Sequence, residues 1–144
     1  MALPRVLTVD SLLMFTGFVI EDLKSIAEVA RSHDVESALT ALKNRKYDCI
    51  LYDPFCGGGK FLEDIQKKRC RIDILSDLAD YFISSVRKED TLNQSTTIIA
   101  VSYAPLVTIS GLSRLFREKR IEAMCLSSPN GYARLKEKIL EEIK

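Results

Sequence analysis

Apolar runs of strand length alternate along this chain with stretches of helical periodicity. Arg5-Val-Leu-Thr-Val9 reads as a strand, and Leu12 to Lys24 follows it with Leu12, Phe15, Val19 and Leu23 on one helical face. A second pair is predicted at Ile26 to Arg31 and Val35 to Asn44. In that helix Asp34 is a candidate N-cap, and Val35, Ala38, Leu39 and Leu42 form the stripe. The third strand, Tyr47 to Tyr52, is nearly continuous in hydrophobicity through Cys49, Ile50 and Leu51, as expected of a central parallel strand covered on both faces. Thr96 to Val101 and Ala123 to Leu126 read as two further strands. They lead into helical segments at Leu106 to Lys119 and at Tyr132 to Ile143, the latter with Tyr132, Leu135, Ile139, Leu140 and Ile143 at helical spacing.

Five strand-helix alternations predict the α/β class, because parallel strands require helical crossovers and these cover both faces of the sheet. The expected architecture is a flavodoxin-like (βα)5 three-layer sandwich with a five-stranded parallel sheet, formed as a single domain over residues 1–144. Asp53 and Ser102 are 49 positions apart, which predicts an enlarged helical segment between strands 3 and 4 and an insertion around residues 66–95. Within it Ile72, Leu75, Ala79, Phe82 and Val86 would make one apolar helical stripe, covering the chain's own sheet or a partner. The polar stretch Lys88 to Ser95, which contains Asn93, is expected to be a mobile loop.

In open sheets of this kind the functional crevice lies at the carboxyl ends of the strands. The polar residues ending them are Asp10 and Ser11, then Asp53, then Ser102, then Ser127 and Ser128. Composition changes the picture by exclusion. With 21 basic and 20 acidic residues the chain carries +1 net charge, which removes the electrostatic argument for nucleic-acid or membrane binding. The longest apolar run, Leu12 to Ile20, is too short to span a bilayer. Cys49, Cys56, Cys70 and Cys125 stand 7, 14 and 55 residues apart, with no C-x-x-C pair, so free thiols and a reducing cytoplasmic setting are expected.

At these residues the sequence resembles the receiver domain of bacterial response regulators, the phosphoacceptor half of two-component signalling. Its clearest stretch runs from Asp34 through Lys46-Tyr-Asp-Cys-Ile-Leu-Tyr-Asp53 and looks like the family's second helix and the strand that ends at the phosphorylated aspartate. Ile98-Ile-Ala-Val-Ser102 resembles the fourth strand with its switch hydroxyl, and Cys125-Leu-Ser-Ser-Pro129 the fifth strand with its Lys-Pro. The resemblance implies Asp53 as phosphoacceptor, Ser102 as a hydroxyl donating to a phosphoryl oxygen, and a magnesium ion held by Asp10, Asp53 and the backbone carbonyl of Phe55. It also implies a sensor histidine kinase or phosphotransfer protein as phosphodonor and a downstream protein partner. Three positions depart from the pattern: the acidic pair is Asp10-Ser11, the lysine is Ser128 and the aromatic switch is Cys125.

Those departures leave two alternatives beside an active receiver. One is a phosphorylation-independent pseudo-receiver acting as an interaction scaffold. The other is a small flavodoxin-like enzyme using Cys56 or the Gly57-Gly-Gly-Lys60 turn on a phosphorylated metabolite, although that turn lacks phosphate-loop spacing. The first helix carries Leu12, Leu13, Met14, Phe15, Phe18, Val19 and Ile20, more apolar positions than one buried stripe absorbs. Unless the inserted stripe covers the excess, a homodimer is expected.

Overall fold

The computed structural model describes residues 2–10, 21–59, 74–103 and 111–144. Its strands are β1 (Arg5–Val9), β2 (Glu28–Ser32), β3 (Cys49–Tyr52), β4 (Thr97–Ser102) and β5 (Glu122–Cys125). They form one sheet in the order β2-β1-β3-β4-β5, every pair parallel. The helices are α1 (Val35–Asn44), α2 (Ile74–Arg87), α3 (Leu112–Glu118) and α4 (Gly131–Ile143), and residues 21–23 are also helical. The first helix, from Leu12, and with it the apolar excess to Ile20, lies largely outside the described residues.

Strand alternation sends successive side chains to opposite faces, and two cores result. Leu7, Val9, Ile50, Tyr52, Ile98 and Ala100 pack under α1, α2 and α3. Val6, Cys49, Leu51, Ile99 and Val101 pack with Leu23, Ala27, Leu135 and Ile139 on the other face. This is the three-layer sandwich that the alternation predicts.

Where strand boundaries shift, backbone hydrogen bonds supply the reason. Ile26 and Ala27 were expected to open the second strand, but both N–H groups donate to the Leu23 carbonyl, at 3.0 and 2.9 Å, and close the preceding helix. β2 therefore starts at Glu28. Tyr47 was expected to open the third strand; its N–H goes to the Asn93 side chain instead, and β3 begins at Cys49.

α2 settles the role of the apolar stripe. Ala79, Phe82 and Val86 are buried in the core of their own sheet, and the Phe82 ring stacks on Tyr52 with centroids 4.6 Å apart. Ile72 lies outside the described residues. Over its described residues the helix belongs to the crossover between β3 and β4, and these apolar positions are taken up internally.

The polar stretch before β4 is anchored, contrary to the expectation of a mobile loop. Asn93 is buried, and its Oδ1 accepts from the Tyr47 N–H at 2.8 Å and the Thr96 hydroxyl at 3.0 Å. Its Nδ2 donates to the carbonyls of Leu42 and Arg45 at 2.8 and 2.7 Å. One amide thereby joins the end of α1, the approach to β3 and the approach to β4. Arg87 adds a bond to the Gln94 carbonyl, and the Thr91 hydroxyl one to that of Val86. Removing the Asn93 amide strands several buried backbone groups, each costly when unmade. Asn93→Ala is expected to lower unfolding free energy by about 2–4 kcal/mol, measured by urea denaturation.

Candidate functional site

Register builds the site. Val9 pairs with Tyr52 across β1 and β3, so the next residue on each strand, Asp10 and Asp53, stands at the same level of the carboxyl edge. The ladder continues through both: the Asp10 N–H donates to the Ser32 carbonyl at 3.0 Å and the Asp53 N–H to the Val9 carbonyl at 2.9 Å. Ser102 ends β4, the strand on the other side of β3. Asp10, Asp53 and Ser102 are all buried. The structure brings these three sequence-predicted residues to one edge. Phe55 follows two residues after Asp53, with its side chain exposed.

Buried carboxylates side by side are electrostatically costly. Burial, and secondarily the charge of Asp10, push the Asp53 carboxyl up to about 6, while the Phe55 N–H, donating to Asp53 Oδ1 at 2.9 Å, pulls the other way. That bond engages Oδ1. Hard oxygen donors that raise the cost of each other's charge suit a divalent cation such as magnesium, so the donor set fits the ion that the resemblance implies.

Arg31 is the site residue that sequence reasoning missed. It lies on β2 opposite Thr8 of β1, and its Nη2 meets Asp10 Oδ1 at 3.1 Å. The available signal was a cation within an otherwise short and partly apolar strand, Glu28-Val-Ala-Arg-Ser32, one strand away from a strand-ending acid.

Other candidates take structural roles. Ser128, at the position of the family's lysine, donates its hydroxyl to the Cys125 carbonyl at 2.6 Å and closes the turn after β5. The Cys125 thiol contacts the Ser127 hydroxyl at 3.2 Å and the Tyr103 carbonyl at 3.4 Å. Cys56 is buried, its thiol donating to the His33 carbonyl at 3.2 Å. Burial and then the neighbouring Asp53 push that thiol up to about 12, so it is held as the thiol and lacks the activation of a nucleophile. The Gly57 and Gly58 carbonyls accept the Val35 and Glu36 N–H groups of the first turn of α1, at 2.9 and 3.1 Å. With Asp34 capping the Ser37 N–H at 2.7 Å, the glycine turn closes the N-terminus of α1, and the segment that follows it from Lys60 lies outside the described residues. Ser11, Lys60 and Cys70 lie outside the described residues.

The fold has counterparts among solved structures. A response regulator from Hahella chejuensis superposes with a TM-score of 0.69 at 19% identity, covering 98% of this chain and 96% of that one. The receiver domain of a sensor histidine kinase from Pseudomonas aeruginosa, solved with a magnesium ion coordinated in its active-site cleft, gives 0.68 at 15% identity over 99% and 98%. A CheY-like receiver domain from Methanospirillum hungatei gives 0.66 at 17% identity over 99% and 94%. No protein-family profile and no curated protein matches the sequence. The chain therefore has the receiver-domain fold, a flavodoxin-like α/β sandwich, at sequence distances where structure alone carries the likeness. Among the described residues no helix is long and apolar enough to cross a membrane.

Two predictions follow from the site's electrostatics and close packing. A carboxyl whose folded value is raised binds its proton more tightly in the folded state, so Asp53 lowers stability as pH rises from 3.8 through about 6. In metal-free buffer Asp53→Asn is expected to be about 1–2 kcal/mol more stable than wild type at pH 7, with the gap closing below about pH 4; denaturant midpoints across pH measure it. Gly59 has φ +94°, and a Cβ there would lie 2.7 Å from Glu36 Oε2 and 2.8 Å from Glu36 Cβ. Gly59→Ala should cost about 1–3 kcal/mol, read by the same titration.

Proposed function

We propose that this chain is a single-domain receiver-like signalling module of a two-component phosphorelay, accepting a phosphoryl group on Asp53 and signalling through protein-protein contacts. The observation that carries the reading is the register that sets Asp10 and Asp53 together at the carboxyl edge of two central strands, with Ser102 ending the next. Asp53 Oδ2 attacks phosphorus in line, an O–P bond forms, and the donor's N–P bond breaks with its electron pair going to that nitrogen, so that a phosphohistidine protonated on its other ring nitrogen leaves as neutral imidazole on a sensor histidine kinase or phosphotransfer protein. Asp10, Asp53 and the Phe55 carbonyl would hold a magnesium ion, which when bound neutralises charge on the phosphoryl oxygens. The Phe55 N–H orients Asp53, and the Ser102 hydroxyl donates to a phosphoryl oxygen. The free thiols of Cys49, Cys56 and Cys125 accord with a cytoplasmic home.

A second reading, a scaffold that works without phosphate, is favoured by two observations. Ser128 is engaged in its own turn, and Arg31 already occupies Asp10. Intact-mass measurement after incubation with magnesium and acetyl phosphate separates the two. The active receiver gains the mass of one phosphoryl group, and Asp53→Asn does not; a wild-type chain that stays unmodified, or a variant modified equally, removes Asp53 from the role.

A further inference from the structure

A buried acid beside a buried acid needs a counter-charge, and this chain carries one of its own. The Arg31 side chain is only 21% exposed, and its Nη2 lies 3.1 Å from Oδ1 of Asp10, whose side chain is 1% exposed. Its Nε is buried without a hydrogen-bond partner among the described residues, so the fork is not fully committed by the fold. Its charge also reaches the far side of the pair, where it opposes the upward push on the Cys56 thiol. The other ion pairs that β2 makes among the described residues, Glu28 with Arg5 and Arg45, lie at its opposite end.

We propose that Arg31 is a built-in counter-ion that holds Asp10 where a divalent cation would otherwise bind, and that it thereby sets the metal affinity of the site. A guanidinium and a divalent cation on one buried carboxylate repel each other in a poorly screened environment, so the two compete. Metal entry requires the Arg31 side chain to swing from Asp10 towards solvent, which its partial exposure permits. The energy of that ion pair is subtracted from the energy of metal binding. The inference rests on the reading above only in taking Asp10 and Asp53 as metal ligands; it does not depend on phosphoryl transfer.

The test is a magnesium titration of the full chain, followed by NMR at the Asp10 and Asp53 amides, for wild type, Arg31→Gln and Arg31→Lys. Arg31→Gln removes the competing charge and is expected to bind magnesium about tenfold more tightly than wild type, with Arg31→Lys, which keeps the charge but loses the planar fork, in between. Equal or weaker binding by Arg31→Gln, or no saturable binding in any of the three proteins, overturns the proposal. If Arg31→Gln fails to fold, Arg31→Lys decides alone: tighter binding than wild type supports the competition, and equal or weaker binding overturns it. Acetyl phosphate treatment of the same samples keeps the two readings apart. A gain in magnesium affinity without modification of Asp53 supports the counter-ion and removes the phosphoacceptor role.

Discussion

Like charge forced together is the constraint around which this molecule is arranged. Parallel register between β1 and β3 makes Asp10 and Asp53 neighbours, and the ladder bonds through both residues prevent them from separating. In a pocket with little water, two carboxylates cannot both remain ionised without compensation. Two contacts compensate, a backbone N–H from Phe55 and the guanidinium of Arg31, while burial raises the proton affinity of Asp53. Each contact opposes folding cost, and each is also a handle on chemistry.

The sequence was most legible where hydrophobic patterning and local chemistry agree. The central strands β1, β3 and β4 are covered on both faces, so their apolar runs are long and their positions within a residue or two of those expected. Asp34 capped its helix as its position before Val35 suggested, and Asp10, Asp53 and Ser102 converged because strand ends in a parallel sheet share an edge. At the sheet's edge β2 was less legible. Ile26 and Ala27 have strand-like side chains, but the turn that closes the preceding helix claimed their N–H groups, and no hydrophobic pattern encodes that competition.

What could not be read was long-range polar pairing. Asn93 looks like any loop asparagine in sequence, and its importance comes from partners 46 to 51 residues away. Arg31 finds Asp10 across 21 residues only after two strands pair. Ser128 matched the family's lysine by position, yet its hydroxyl serves the local turn, so the positional match says nothing of a cation. The Gly57-Gly58 pair was read for its amides and proved to matter for its carbonyls. Distance in sequence and direction of a backbone group are the two quantities that a one-dimensional pattern omits.

The Asn93 amide lies at the opposite end of β3 and β4 from the carboxylates, joining the residues that lead into both strands. The buried amide knot and the paired carboxylates are therefore housed at different ends of the same strands. A sheet with this arrangement can exchange polar side chains at the carboxylate rim, where Arg31 meets Asp10, while the knot at the far rim keeps the strands assembled. Such a division makes the scaffold tolerant of chemical experiment: new ligand preferences can be tried at one end without first renegotiating the fold at the other.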